Sequence, residues 1–168
     1  MSPGAAARVF LVARGLLWST AFVATWTWIA LQIRAFDGTL GFAIPSPLRP
    51  VGAAIGAAGA LLAGACIVTF LARGRGTPAP FDPPRRFVAA GPYRWVRNPM
   101  YLGAALVILG AGVFVGSPAI VLLAPAFLLL MHVVVVAYEE PSLAARFGED
   151  YARYRAAVPR WFARRPRA

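Results

Sequence analysis

Residues 91–103 read GPYRWVRNPMYLG, a short polar and cationic run set directly against an apolar one. Asn98-Pro99 has the form of a helix start. Asn is a favoured N-cap, and Pro at the first helical position gives up a donor that has no partner there. The apolar run from Pro99 continues to about Val115, Gly116-Ser117-Pro118 allows a tight reversal, and a second apolar run leads from Pro118 to Tyr138. So short a turn makes the two helices antiparallel neighbours of similar length and returns Glu139-Glu140 to the level of Arg94 and Arg97. The expectation is an apolar hairpin with one charged end, where the two clusters form a single ligand site. The free N–H groups at the start of the third span favour an anion or carboxylate. Gly103 would let a ligand or a neighbouring helix come close, and Tyr93 and Tyr101 offer aromatic faces with polar tips. A plain interfacial anchor of Arg and Tyr would share this pattern.

Upstream, residues 1–7 are small and expected to be irregular, and Val9–Ile33 is apolar apart from Arg14, with Trp18, Trp26 and Trp28 along it. About 20 residues at ~1.5 Å each cross the ~30 Å hydrocarbon layer. A cleaved signal peptide would share the basic start, but this run outlasts the usual apolar core and lacks a small-x-small exit. Arg34–Pro50 is expected to be a loop, with a turn at Asp37-Gly38 and with Pro45, Pro47 and Pro50 opposing helix. Val51–Leu71 is the second span, in which Gly52, Gly56, Ala60 and Gly64 recur every four residues and present a smooth groove to another helix. Neither span carries an ionisable group near its centre, which argues against an ion pathway or a transporter.

Composition agrees with a membrane protein. Of 168 residues, 60% are hydrophobic, and the 17 basic residues, all arginine, oppose six acids to give +11. That charge does not point to nucleic acid, because the arginines stand at the ends of apolar runs, where they meet lipid headgroups. Arg73, Arg75, Arg85, Arg86, Arg94 and Arg97 crowd the Gly/Pro-rich loop 73–98, whereas the opposite loops hold only Arg34 and Arg49. By the positive-inside rule the loop is cytoplasmic, and four spans then put both termini there. A lone cysteine, Cys66, rules out an intramolecular disulfide, offers no metal cluster, and reads as a small packing residue.

The fourth span, Pro118–Tyr138, contains Pro125, expected to kink or soften it, and His132, the sole histidine, which suits a packed, hydrogen-bonded role or a functional one. Glu139 and Glu140 close this span. Acids at a helix C-terminus oppose the macrodipole, so they demand a partner: Arg94 or Arg97, or a ligand bearing an ammonium or hydroxyls. After Pro141, Leu143, Phe147, Tyr151, Tyr154 and Val158 form one apolar face of a helix bordered by Glu149, Asp150, Arg153 and Arg155. Such a helix lies in the membrane interface and can cover the polar clusters as a lid, with Trp161 and Arg164-Arg165 anchoring beyond it. The fold expected is therefore all-α and polytopic, one domain with about four transmembrane helices and a C-terminal amphipathic interfacial helix. Residues 1–72 are two anchoring spans, 73–98 the cationic loop, 99–138 the hairpin and 139–168 the interfacial segment.

GPYRWVRNPMYLG, the helical hairpin, the Glu-Glu pair and FGEDYARYRAAVPRW, in that order from Gly91 to Trp161, resemble the isoprenylcysteine carboxyl methyltransferase and phospholipid methyltransferase superfamily of integral-membrane enzymes. The resemblance implies an S-adenosylmethionine-dependent methyltransferase with its cofactor between the hairpin, the loop before it and the C-terminal segment. Carried over, Gly91, Pro92 and Tyr93 would line the mouth of the pocket and Arg97, Asn98, Pro99, Tyr101 and Gly103 its length. Glu139 and Glu140 would hold the cofactor's amino or ribose groups, and Tyr151, Tyr154 and Arg155 would close it. The family often has Arg-His-Pro where this chain has Arg97-Asn98-Pro99, and Asn cannot take a proton. The acceptor would be lipid-like or a small hydrophobic molecule drawn from the membrane. A carboxylate acceptor needs no base, and Arg97 or Arg94 would orient it; an amine needs one, for which Glu140 is the candidate. An arginine-rich, lysine-free chain fits a bacterial inner membrane and tilts the choice toward an amine or another small acceptor. The competing reading is a non-enzymatic membrane scaffold or assembly protein whose arginines bind anionic lipid.

Overall fold

The computed structural model describes residues 3–74 and 88–162, and no strand occurs among them. The helices are α1 (Pro3–Ile33), α2 (Arg49–Thr69), α3 (Pro99–Val115), α4 (Pro118–Val134) and α5 (Glu140–Ala157). Two of these helices, α1 and α2, and the continuous helix that begins at Pro118 are long and apolar enough to cross a membrane, and α3 is a shorter apolar helix. At ~1.5 Å per residue, α3 is about 25 Å long. The chain is thus an all-α, polytopic membrane protein. The middle of the cationic loop, including Arg75, Arg85 and Arg86, and the Arg164-Arg165 pair lie outside the described residues.

The closest helix pairing is α2 against α3, and it is made by glycine. A Cβ on Gly59 would lie 2.6 Å from the Gly103 carbonyl oxygen, and one on Gly103 would lie 2.9 Å from the Gly59 oxygen. Gly110 meets the backbone of Gly52 and Gly56 in the same way. In lipid, where burying apolar surface between helices gains nothing over burying it in acyl chains, such backbone approach supplies the dispersion that holds spans together. The groove differs from the one expected. Gly64 has open space around it and Ala60 is exposed; Gly59 takes their place. The face that meets α3 follows Gly52, Gly59 and Cys66, every seventh residue, because two turns of helix consume about seven residues.

A Schellman turn joins α3 to α4. Gly116 adopts the left-handed conformation (φ 76°, ψ 28°), the Ser117 N–H donates to the Gly112 carbonyl at 2.9 Å and the Gly116 N–H to that of Val113 at 3.3 Å. Ser117 then caps α4, its Oγ accepting from the Ile120 N–H at 3.3 Å. The same Oγ donates to Asp37 Oδ1 at 2.8 Å, and the Ala119 N–H donates to that oxygen at 2.9 Å. Asp37, read from the sequence as part of a turn, lies in a 3-10 segment (Arg34–Thr39) and satisfies the start of α4. Phe127, fully buried, centres the core with Ile108, Ile120, Ala124 and Met131, and the Trp26 ring of α1 meets it edge-on at 4.7 Å.

Two further expectations give way. Residues 3–7 belong to α1 rather than to an irregular tail. The fourth span does not stop at Tyr138. Val135–Glu139 form a π turn that runs straight into α5, with Pro141 in the first turn, where a missing N–H costs least. Glu139 and Glu140 therefore lie inside a continuous helix, with no free carbonyls to oppose them. Pro125 sits within α4 without interrupting it, and the break falls instead at Gly148 (φ 50°, ψ −121°) within α5.

Candidate functional site

At the charged end of the hairpin, Glu140 is clamped by two arginines. Arg160 donates from Nε to Oε1 at 2.6 Å and from Nη2 to Oε2 at 2.9 Å, and Arg97 Nη1 lies 3.2 Å from Oε1. The side chains of Arg97 and Glu140 are each only 10% exposed. A bidentate guanidinium and a second cation around one shielded carboxylate make a strong, geometrically fixed cluster. The Glu140 carboxylate in turn raises the pKa of Arg160 above the usual arginine value. Arg97 Nη1 also lies 3.5 Å from the Tyr151 hydroxyl, while its Nε is buried with no hydrogen-bond partner among the described residues.

Residues Val158–Trp161 form a strap across the start of α3. The Arg97 N–H donates to the Pro159 carbonyl at 2.9 Å and Asn98 Nδ2 to the Arg160 carbonyl at 3.2 Å. Trp161 Nε1 donates to His132 Nδ1 at 3.0 Å, which makes that imidazole nitrogen an acceptor. Asn98 thus stands at the N-cap position without capping by its side chain, whose Nδ2 donates to the strap. Tyr154 donates to the Tyr93 carbonyl at 2.7 Å, tying α5 to the 3-10 turn Gly91–Arg94. Tyr93 is buried against Cys66 and Phe70, and burial, with Cys66 beside it, pushes its pKa well up.

Arg97, Asn98, Glu140, Tyr151, Tyr154 and Tyr93 thus form one connected cluster, joined by Arg160, Pro159 and Trp161, which sequence reasoning gave no role in it. Their only signal was the PRW at the end of the last quoted block. Pro99 is buried at the start of α3. Arg94 and Arg155 are exposed, and Arg94 does not reach either acid. Gly91 (φ 56°) and Gly103 serve packing: a Cβ on Gly91 would sit 2.6 Å from Thr69 Oγ1, and α2 covers Gly103. Pro92 is half-buried in the first turn of the 3-10 segment.

Glu139 goes elsewhere. It accepts a short hydrogen bond from the Tyr101 hydroxyl of α3, and no arginine among the described residues pairs with it. Tyr101 in turn lines a cavity of about 820 Å³ between α1 and the α2–α4 layer, whose walls include Trp18, Phe22, Trp26, Ala104 and Ile108. Its walls are almost wholly apolar and follow α3 from Met100 to Val115.

A family model described as phospholipid methyltransferase matches residues 51–150, which hold α2 from its third residue, α3, α4 and both acids. No curated protein and no solved structure matches the chain.

Proposed function

Because this chain belongs to the phospholipid methyltransferase family, we propose that it is a membrane methyltransferase that uses S-adenosylmethionine and acts on a lipid-like or small hydrophobic acceptor. The observation that carries the reading is the position of Tyr101, which is shared between an apolar cavity and the acidic pair. A polar donor and a greasy acceptor must meet at one point, and this is where the two environments touch.

The cluster's donor set suits the amino-acid end of that cofactor. Arg97 has a buried, unused Nε for a carboxylate, Glu140 suits an ammonium, and the half-buried Tyr154 offers a face for an aromatic base. When bound, the cofactor supplies an electrophilic methyl group. The protein's part is to align, to keep water out and to move protons. Glu140 carries Arg160 as its built-in counter-ion, so binding there exchanges one cation for another rather than exposing a bare charge. The cavity admits the acceptor from lipid. The arginine-rich loop, by the positive-inside rule, puts the cluster and both termini on the cytoplasmic side of what we take to be a bacterial inner membrane.

Calorimetric titration of purified protein with S-adenosylhomocysteine tests this. Binding is expected, weakened about 10- to 100-fold by Glu140→Gln, the equivalent of ~1.5–3 kcal/mol for a charged hydrogen bond. Folded protein that gives no heat would replace this reading with the lipid-binding scaffold.

A further inference from the structure

The strap Val158–Trp161 is held along its length by bonds of different kinds. Its Pro159 and Arg160 carbonyls accept from the Arg97 N–H and from Asn98 Nδ2, at 2.9 and 3.2 Å, and the Arg160 guanidinium grips Glu140. At the far end Trp161 Nε1 donates to His132 Nδ1 at 3.0 Å. An indole N–H only donates, so the imidazole must present a lone pair to it, which Nδ1 can do only while the ring is neutral. The carbonyls carry no titrating charge, and the Glu140 carboxylate stands between two guanidinium groups. Imidazole is the side chain that ordinarily changes charge between about pH 5 and 8. Among the strap's bonds, the one to His132 is therefore the one that a proton can switch near neutrality.

The two rings are held in place. Both are half-buried, their centroids lie 6.1 Å apart, and Trp161 packs against the core around Phe127. Protonation would put an N–H where the lone pair stood, and two donors facing each other in a half-buried contact are costly. The charged and titratable groups on the elements around His132 are Arg14 on α1, Tyr101 on α3, Arg97 just before it and Arg160 on the strap, with Tyr138, Glu139 and Glu140 beyond it on the same rod.

We propose that His132 is a positioning residue, a proton-operated latch that keeps Arg160 seated on Glu140. This rests on the methyltransferase reading above, in which the cofactor's ammonium takes the place of Arg160. With the imidazole neutral the strap is shut, and tethering makes Arg160 a strong intramolecular rival to that ammonium. With the imidazole protonated Trp161 is released, the strap loosens and the rival weakens. His132 touches neither cofactor nor acceptor; it acts through Trp161 and Arg160. The latch is closed above the titration of the imidazole and open below it, so cofactor affinity rises as pH falls.

Two variants of the full chain test this. Trp161→Phe keeps a ring but lacks the donor, and His132→Gln keeps an acceptor oxygen that takes no proton. Hydrogen exchange at the Arg97 amide, which the Pro159 carbonyl covers, reads the latch with no ligand present. Corrected for the intrinsic rate, it should speed up about 2- to 10-fold in wild-type protein between about pH 8 and pH 5.5, the range for one hydrogen bond. It should stay level in His132→Gln and be fast at both pH values in Trp161→Phe. Calorimetric affinity for S-adenosylhomocysteine should rise by the same factor in wild-type protein as pH falls, and in Trp161→Phe at the higher pH. A tryptophan with a merely structural role would weaken binding when cut back. Wild-type affinity that is level with pH, or affinity that falls in Trp161→Phe, overturns the proposal, as does a pH step that survives in His132→Gln. If His132→Gln does not fold, unchanged Arg97 exchange in Trp161→Phe overturns it alone. Protein whose exchange switches as described but which binds no S-adenosylhomocysteine keeps the latch and counts against the methyltransferase reading instead.

Discussion

Gly59→Ala and Gly64→Ala are the same chemical change, five residues apart on one helix, and they should have opposite effects. Both gain the helix propensity of alanine over glycine, up to ~1 kcal/mol in a helix interior. At Gly64 the new methyl meets nothing within 4 Å, so the variant should be neutral or somewhat more stable. At Gly59 the methyl would stand 2.6 Å from the Gly103 oxygen and 2.7 Å from the Val107 nitrogen, well inside the 3.4 Å at which ordinary van der Waals contact begins. Both obstacles are backbone, so no side chain can swing away. Helices α2 and α3 must separate by several tenths of an ångström along their whole seam, and a gap of ~0.5–1 Å forfeits a quarter to a half of each contact's attraction. Overpacking of this kind costs ~1–3 kcal/mol. Because the propensity gain is common to both variants, it cancels in their difference, which should be ~1–3 kcal/mol in favour of Gly64→Ala. Unfolding in mixed micelles with increasing denaturing detergent, followed by circular dichroism, measures it. Equal stabilities would show that α2 does not meet α3 along Gly52, Gly59 and Cys66, and the placement of every residue on α3 would fall with it.

Other expectations follow from the polar ends. Asp37→Ala removes the acceptor shared by Ser117 Oγ and the Ala119 N–H; it should cost about 1–2 kcal/mol, as loss of a helix cap does, and leave cofactor affinity unchanged in calorimetry. Glu140→Ala strands a buried Arg97 and should destabilise by ~3–5 kcal/mol, whereas Arg160→Ala leaves Arg97 in place on the carboxylate and should cost less in the same unfolding assay. Gly148→Ala forces a side chain into φ 50°, ψ −121°; a loss of ~1–3 kcal/mol is expected, visible as earlier proteolysis of α5.

The hairpin was legible because its punctuation is local. Asn98-Pro99 starts a helix and Gly116-Ser117-Pro118 reverses it, and both signals act within a few residues. The union of Arg97 with Glu140 followed from the same short turn. What could not be seen depends on atoms that sequence patterns do not rank. The strap is held by the carbonyls of Pro159 and Arg160, and any residue supplies a carbonyl. The four-residue ruler places Gly52 and Gly56 on the seam correctly but carries it on to Ala60 and Gly64, because such a ruler drifts off a helix face within two turns, whereas seven residues return to it. By sequence the Glu-Glu pair ends a span, because apolar residues stop there, yet backbone hydrogen bonding continues through it. Nor does a dipeptide reveal that its two carboxylates face different neighbours. Asp37 was hidden by its distance in sequence from the helix it caps.

The widened turn at Val135–Glu139 sets the phase between two halves of one rod. In an α-helix each residue advances the azimuth by about 100°. Closing that turn to ordinary geometry, with no residue removed, would rotate everything after it by about that angle relative to Phe127 and Met131. Glu139 would swing off Tyr101 and Glu140 off Arg97, though neither α4 nor α5 had changed internally. The loosened turn thus works as a vernier: it lets the lipid-facing pattern and the ligand-facing pattern each keep its own register while sharing a single backbone.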